Sequence, residues 1–174
     1  MRKTWLLIAI ALLAGCTSAA QVRSLSGTQN TNTLSKQAGV YVVVPTDGQY
    51  ETTNYPGSGQ TVAQVVAAAF SQFAPIVHTA EKASTTDEAF AAAEKFGATY
   101  VVVPVITHWE QRATAWSGIP SKMALRLTVF DAGSHREITS TSIESRSAIV
   151  TLLPTSPEGL LKDPVDKYVT TLYR

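Results

Sequence analysis

Apolar positions recur with three different rhythms along this chain. Val40-Tyr41-Val42-Val43-Val44 is an unbroken apolar run that stops at Pro45. A run so short and so rich in β-branched residues predicts a strand covered on both faces. Residues 46–60 are polar and carry Gly48, Pro56, Gly57 and Gly59, the composition of a loop. Val62, Val65, Val66, Ala69, Phe70 and Phe73 then share one helical stripe, with Pro75 as the stop. Ile76-Val77-His78 reads as a short second strand. Thr85 and Glu88 have the spacing of a capping box ahead of a second helix through Ala89, Phe90, Ala93 and Phe96, which Gly97 ends.

A third strand starts at Thr99-Tyr100-Val101-Val102-Val103 and runs on toward Arg112, with Pro104 marking a bulge or an edge position. Met123, Leu125, Leu127 and Val129 alternate with more polar neighbours, the period of a half-buried strand. Asp131-Ala132-Gly133-Ser134 supplies a turn. A more polar strand covers 136–147, where Ile138 and Ile143 differ in parity and so require a bulge or other boundaries. Ser156-Pro157 and Asp163-Pro164 each read as an N-cap followed by proline, and Leu161, Val165, Tyr168, Val169 and Leu172 form one stripe. The closing helix is therefore expected to be kinked or split. The order β-α-β-α-β-β-β-α predicts an α/β (α+β) fold, a single mixed sheet with helices on its faces.

Ahead of this domain the rhythm changes twice. Met1-Arg2-Lys3-Thr4 is cationic, Trp5 to Leu13 is apolar, and Leu13-Ala14-Gly15-Cys16 follows. Cationic start, short apolar run and small residues at a cut describe a secretory signal, well short of the roughly 20 residues a spanning helix needs. The last four residues resemble the bacterial lipoprotein box. That resemblance implies cleavage between Gly15 and Cys16, diacylglycerol on the Cys16 thiol and an amide-linked acyl chain such as palmitate on its new amino terminus. An ordinary signal with a chance cysteine is the alternative. Multiple acyl chains anchor stably where one does not. Thr17, where the inner-membrane retention signal of enteric bacteria has Asp, favours the outer membrane. Residues 17–38 are rich in Ser, Thr, Gln and Asn and hold no sustained period, which predicts a flexible tether reaching roughly 25 Å as a coil and about 70 Å stretched. The expected organisation is a signal over 1–15, lipidated cysteine and tether over 16–38, and one domain over 39–174.

Charge and composition narrow the function. Fourteen Lys and Arg stand against 13 Asp and Glu, so no basic surplus exists for nucleic acid. Cys16 is the one cysteine, which rules out an intramolecular disulfide and a cysteine-rich zinc site. Gly57-Ser58-Gly59-Gln60-Thr61 precedes a helix but lacks the phosphate-loop lysine, leaving only a helix start where an anion could sit. His78, His108 and His135 contain no pair at helical metal-ligand spacing, so neither metal nor cofactor is expected beyond the lipid on Cys16. No Gly-x-Ser-x-Gly elbow occurs. Glu110 and Arg112 share one strand parity and could pair.

The lipoprotein box, the valine-rich first strand, the segment from Ala91 to Val103 and the hairpin strand Leu127-Thr128-Val129-Phe130-Asp131 together resemble a family of small gammaproteobacterial lipoproteins described only as domain of unknown function 4823. More distantly they look like the α/β domain of CsgG, the amino-terminal part of TolB, PelC and LpoB. The resemblance brings no catalytic residues with it, and the fold serves pore formers, adaptors and activators alike.

Aromatic and apolar loop residues are the candidate partner-binding positions: Trp116 and Ile119 in the 114–120 loop, Tyr50 and Tyr55 in the 46–60 loop. Such residues either bind or fold back as lids on the local core. If both loops lie at one end of the sheet, binding gains weight. The expectation is a non-enzymatic lipoprotein anchored on the periplasmic face of the outer membrane, binding an envelope protein or polysaccharide. Alternatives are a self-assembling ring or collar for secretion or polysaccharide export, and a hydrolase with His108 or His135 in a deep pocket beside Ser or a carboxylate.

Overall fold

A computed structural model describes residues 19–25, 34–112, 119–148 and 156–174. In chain order its elements are β1 (Ala19–Ser24), β2 (Val40–Val44), β3 (Gly48–Tyr50), β4 (Thr53–Tyr55), α1 (Ser58–Phe70), β5 (Val77–Ala83), α2 (Thr86–Lys95), β6 (Tyr100–Glu110), β7 (Lys122–Asp131), β8 (Glu137–Arg146) and α3 (Pro157–Leu172). Six strands form one mixed sheet in the order β1-β8-β7-β6-β2-β5, and β3 with β4 makes a separate hairpin. β2 runs parallel to both β5 and β6, and the remaining pairings are antiparallel.

α1 carries the chain from β2 to β5, and α2 carries it back across β2 to β6. Right-handed crossovers in opposite directions put the two helices on opposite faces. All five residues of β2 are therefore buried. On one face α1 and α3 lie side by side. Phe73, just past α1, stacks on Tyr173 with centroids 4.9 Å apart, and Phe70 meets the same ring edge-on at 6.2 Å. Val62, Val66, Phe70, Leu161, Val165 and Val169 close this layer over Leu125, Leu127, Val129 and Ile143, all fully buried. On the other face Phe96 at the end of α2 stacks on Tyr41, and Phe90 packs edge-on against Phe130.

The irregularities have identifiable causes. Pro104 sits just past Val102, the last β6 residue paired with β2, so β6 has a ladder neighbour there on one side only, β7. The β6 bulge falls later, between Ile106 and His108, where exposed Thr107 is the unpaired residue. Ile138 is the extra residue of a second bulge, between Val129 and Phe130 of the partner strand, which resolves its parity conflict with Ile143. The capping box at Thr85 and Glu88 forms with both reciprocal bonds. α3, expected to be kinked or split, is a single helix through buried Pro164. Asp163 starts no new helix, because Pro157 at the first turn and Ser156, whose side chain accepts from the Gly159 N–H, have already started this one.

Two segments differ more. The 46–60 loop contains the β3–β4 hairpin. Within the segment expected to be a flexible tether, Ala19–Ser24 forms a strand on the outer edge of β8. All six of its residues are exposed. Backbone pairing, with Thr141 Oγ1 donating to the Arg23 carbonyl, places it there, so the periodicity of its own side chains carries no trace of it.

Candidate binding site at the hairpin end of the sheet

β2, β6 and the hairpin strand β3 all point toward one end of the sheet. The hairpin is stitched to α1 there. The Asp47 carboxylate accepts from the N–H groups of Gly59 at 2.8 Å and Gly57 at 3.1 Å, and Ser58 Oγ accepts from the Gly48 N–H at 2.7 Å. The anion expected as a possible guest on this helix start is thus built in, since Asp47 fills the place. Both glycines at the contact are sterically required. A Cβ on Gly59 would collide with the Pro45 carbonyl oxygen, and one on Gly48 would lie 2.6 Å from Trp109 Cβ.

Two predicted residues come to the end of β6 on this hairpin. The Tyr50 ring meets His108 edge-on at 5.3 Å, and the Arg112 guanidinium stands 5.6 Å from its centroid. The Tyr55 hydroxyl accepts a long 3.5 Å bond from the Gln111 N–H, and its ring tilts against Trp109 at 6.5 Å. Ile119, 43% exposed, lies on the far side of the same loop base. That base is clasped by serines. The Arg112 N–H donates to Ser121 Oγ, the Ser121 N–H donates to Ser147 Oγ, and the Ser147 N–H returns to the Ser121 carbonyl. Tyr50, Tyr55 and Ile119 therefore share one end of the sheet. Trp116, and Cys16 with Gly15, lie outside the described residues.

The Glu110–Arg112 pair is visible in the sequence, but its setting is not. Glu110 is 3% exposed and accepts from Arg112 Nε at 2.7 Å, faces His108 Nε2 at 3.2 Å, and has Lys122 Nζ at 3.8 Å. Burial pushes its carboxyl upward. Hydrogen bonds from Arg112 and His108, together with the Lys122 and Arg112 charges, outweigh that and hold it below the usual carboxylate range. His108, Glu110 and Arg112 follow the bulge at Thr107 and alternate onto one face, whereas Lys122 arrives opposite Glu110 from β7, a cross-strand register that linear spacing does not show. Beside this cluster a cavity of about 490 Å³ opens between the starts of α1 and α3, lined by Tyr55, Gly57, Thr61, Trp109 and Pro157 among others.

The three histidines stand apart. His78 stacks on Phe96 at 4.3 Å, His135 on Phe90 at 3.9 Å, and His108 belongs to the Glu110 cluster. His135 and the carboxylates of Asp87 and Glu94 line a 620 Å³ cavity beside α2. His135 thus lies in a cavity with carboxylate residues, as the hydrolase alternative asks, while its ring is stacked on Phe90. No group of three or more potential metal ligands gathers among the described residues, and no helix among them is long and apolar enough to cross a membrane.

Solved structures share this architecture. The PelC dodecamer from Paraburkholderia phytofirmans aligns with a TM-score of 0.63 at 17% identity, covering 85% of this chain and 96% of that one. Lipoprotein GNA1162 from Neisseria meningitidis aligns at 0.50 and 17% identity, covering 78% and 98%. The LpoB C-terminal domain from Salmonella enterica reaches 0.35 at 15% identity, covering 68% and 86%. At such identities the first two likenesses establish the fold, and the third lies too low to add to it. None of the curated proteins matches the chain. The family described as Domain of unknown function (DUF4823) matches residues 32–172, from just before Leu34 to the last residue of α3, and the chain belongs to that family.

Proposed function

We propose that this protein is a lipid-anchored component of the bacterial cell envelope whose α/β domain is a non-catalytic binding module. In this reading Cys16 carries diacylglycerol and an amide-linked acyl chain, and the outer membrane holds the anchor with the domain on its periplasmic face. The hairpin end of the sheet meets another envelope component through Tyr50, Tyr55, Ile119 and Trp116. The observation that carries the reading is the gathering of Tyr50, Tyr55 and Ile119 around one braced loop base. The lipoprotein box supplies the location. The test is a photo-crosslinker at position 50 in cells, beside Cys16→Ser. A discrete adduct that disappears in Cys16→Ser supports the reading. A Cys16 that takes up no labelled fatty acid sinks it.

A second reading is favoured by one observation. The chain covers 96% of a PelC subunit, and that structure is a dodecamer. In this reading the chain is one subunit of a ring or collar serving secretion or polysaccharide export. Light scattering on the detergent-extracted protein separates the two, since a ring is many-fold heavier than a monomer.

A further inference from the structure

The strand that replaces part of the tether fixes how far the domain can stand from its lipid. β1 begins at Ala19, and only Thr17 and Ser18 separate it from Cys16. Three extended residue steps span at most about 11 Å. Without β1, the next secured residue is Leu34, 3% exposed, whose N–H donates to the Leu172 carbonyl at 2.7 Å. The leash would then be 18 steps, roughly 60 Å when stretched. Pairing of β1 shortens the reach more than fivefold.

The register also decides which part of the domain faces the lipid. Ala19 pairs with Arg146, Arg146 with Lys122, and Lys122 with Glu110. Ala19 thus stands in the last row of the sheet, at the hairpin end, just inside Arg112 and Ile119. Arg146 is exposed, the Arg112 and Lys122 side chains are more than a third exposed, and Ile119 adds apolar surface. The carboxylate among them, Glu110, is buried and already bonded to Arg112. Glu144 lies two rows inward in a pocket it shares with Lys122 and Arg146, Glu51 at the hairpin tip, and exposed Glu158 beside the cavity lined by Tyr55 and Gln111. Long cationic side chains around an apolar residue suit the boundary between headgroups and acyl chains. So short a leash keeps that surface at high local concentration, so weak contacts suffice.

We propose that β1 is a clamp that seats the sheet end carrying Arg112, Ile119, Lys122 and Arg146 on the bilayer surface in which Cys16 is anchored. This rests on the lipid-anchor reading above and names the partner of that same end, with the β7–β8 turn pointing away.

The test uses the full-length, lipidated protein in vesicles of phosphatidylethanolamine and phosphatidylglycerol containing brominated lipid. Cys16 is the only cysteine, and in the lipidated protein its thiol is blocked by the diacylglyceryl thioether, so Ile119→Cys or Ser134→Cys provides a single site for an environment-sensitive fluorophore. Several-fold stronger quenching at 119 than at 134 is expected. A flexible insert of about 15 residues between Ser18 and Ala19 is expected to remove most of that difference while leaving the fold intact. Equal quenching at the two sites, stronger quenching at 134, or no quenching at either would overturn the clamp. So would a position-119 probe that crosslinks a protein in cells yet stays unquenched in pure vesicles. Mass measurement of the N-terminal peptide separates the two failures. A lipidated protein with unquenched 119 overturns the clamp alone, and an unlipidated one overturns the anchor and the clamp together.

Discussion

Two tyrosines in the same layer test what a buried hydroxyl contributes. The Tyr168 hydroxyl is 3.1 Å from Thr139 Oγ1, whereas the Tyr173 hydroxyl is buried with no hydrogen-bond partner among the described residues. Tyr168→Phe leaves Thr139 unpaired and is expected to cost about 1 kcal/mol; Tyr173→Phe removes an unsatisfied group and is expected to be neutral or stabilising by up to about 1 kcal/mol. Burial, with Tyr100 nearby, pushes the Tyr173 hydroxyl up to about 12. A folded-state value above the unfolded one near 10 favours folding below pH 10, and that contribution fades as pH rises from about 10 to 12. Denaturant titrations across this range should show a shallower alkaline decline in Tyr173→Phe. Glu110 has the opposite sign. Its carboxyl is held low, so its contribution is complete above the unfolded value near 4.3 and is lost as pH falls through the folded one. Glu110→Gln should therefore be destabilised at neutral pH, by about 1–2 kcal/mol after allowance for its half-exposed partners, and should lose less stability than wild type between pH 5 and pH 3. At this scale the sequence places Glu110 and Arg112 on one parity. His108 shares that parity two residues earlier, but Lys122 is not revealed, because a cross-strand register brings it in from β7.

Among the elements, those built on local rules are legible in the sequence. The Thr85 capping box, the stripes of α1 and α3 and the alternation of β7 all depend on contacts within a few residues, and each forms as read. The hairpin and β1 are not legible there, since what holds them lies far away along the chain. Glu51 turns the hairpin at φ 52° without the glycine or asparagine that signals such a turn. No side chain of β1 joins the core. The join between hairpin and α1 carries a sharp expectation. The Gly59 N–H donates to Asp47, and a Cβ at Gly59 would collide with the Pro45 carbonyl oxygen. Gly59→Ala should force the two segments apart and lower stability by about 1–3 kcal/mol in urea unfolding. Tyr50 and Tyr55 should lose their fixed positions, read as increased amide exchange across 48–55. Unchanged exchange there would mean that the hairpin is held by its contacts with β6 rather than by its join to α1.

Taken as a whole, the molecule separates a buried core from an exposed edge strand. The core runs from Leu34 and β2 through α3, and β1 adds an edge whose residues all face solvent. That division predicts two unequal losses. A chain shortened to begin just after Leu25 keeps every residue of the core and should unfold within about 1 kcal/mol of the full-length protein, since edge pairing without burial contributes little net stability. Leu34→Ala opens a cavity under the end of α3, where Leu34 is 3% exposed, and should cost about 2–4 kcal/mol. For a domain of this size each kcal/mol moves the melting temperature by roughly 2–4 °C, so circular dichroism melts of the two variants resolve the difference. If deleting β1 costs as much as Leu34→Ala, the strand is part of the folding unit and its pairing needs no other reason. If it costs almost nothing, the strand's energetic role is small and its positional role remains. In the clamp proposal, a segment that stabilises little yet reduces a long leash to three steps acts on where the domain stands and which way its cationic, Ile119-bearing end points.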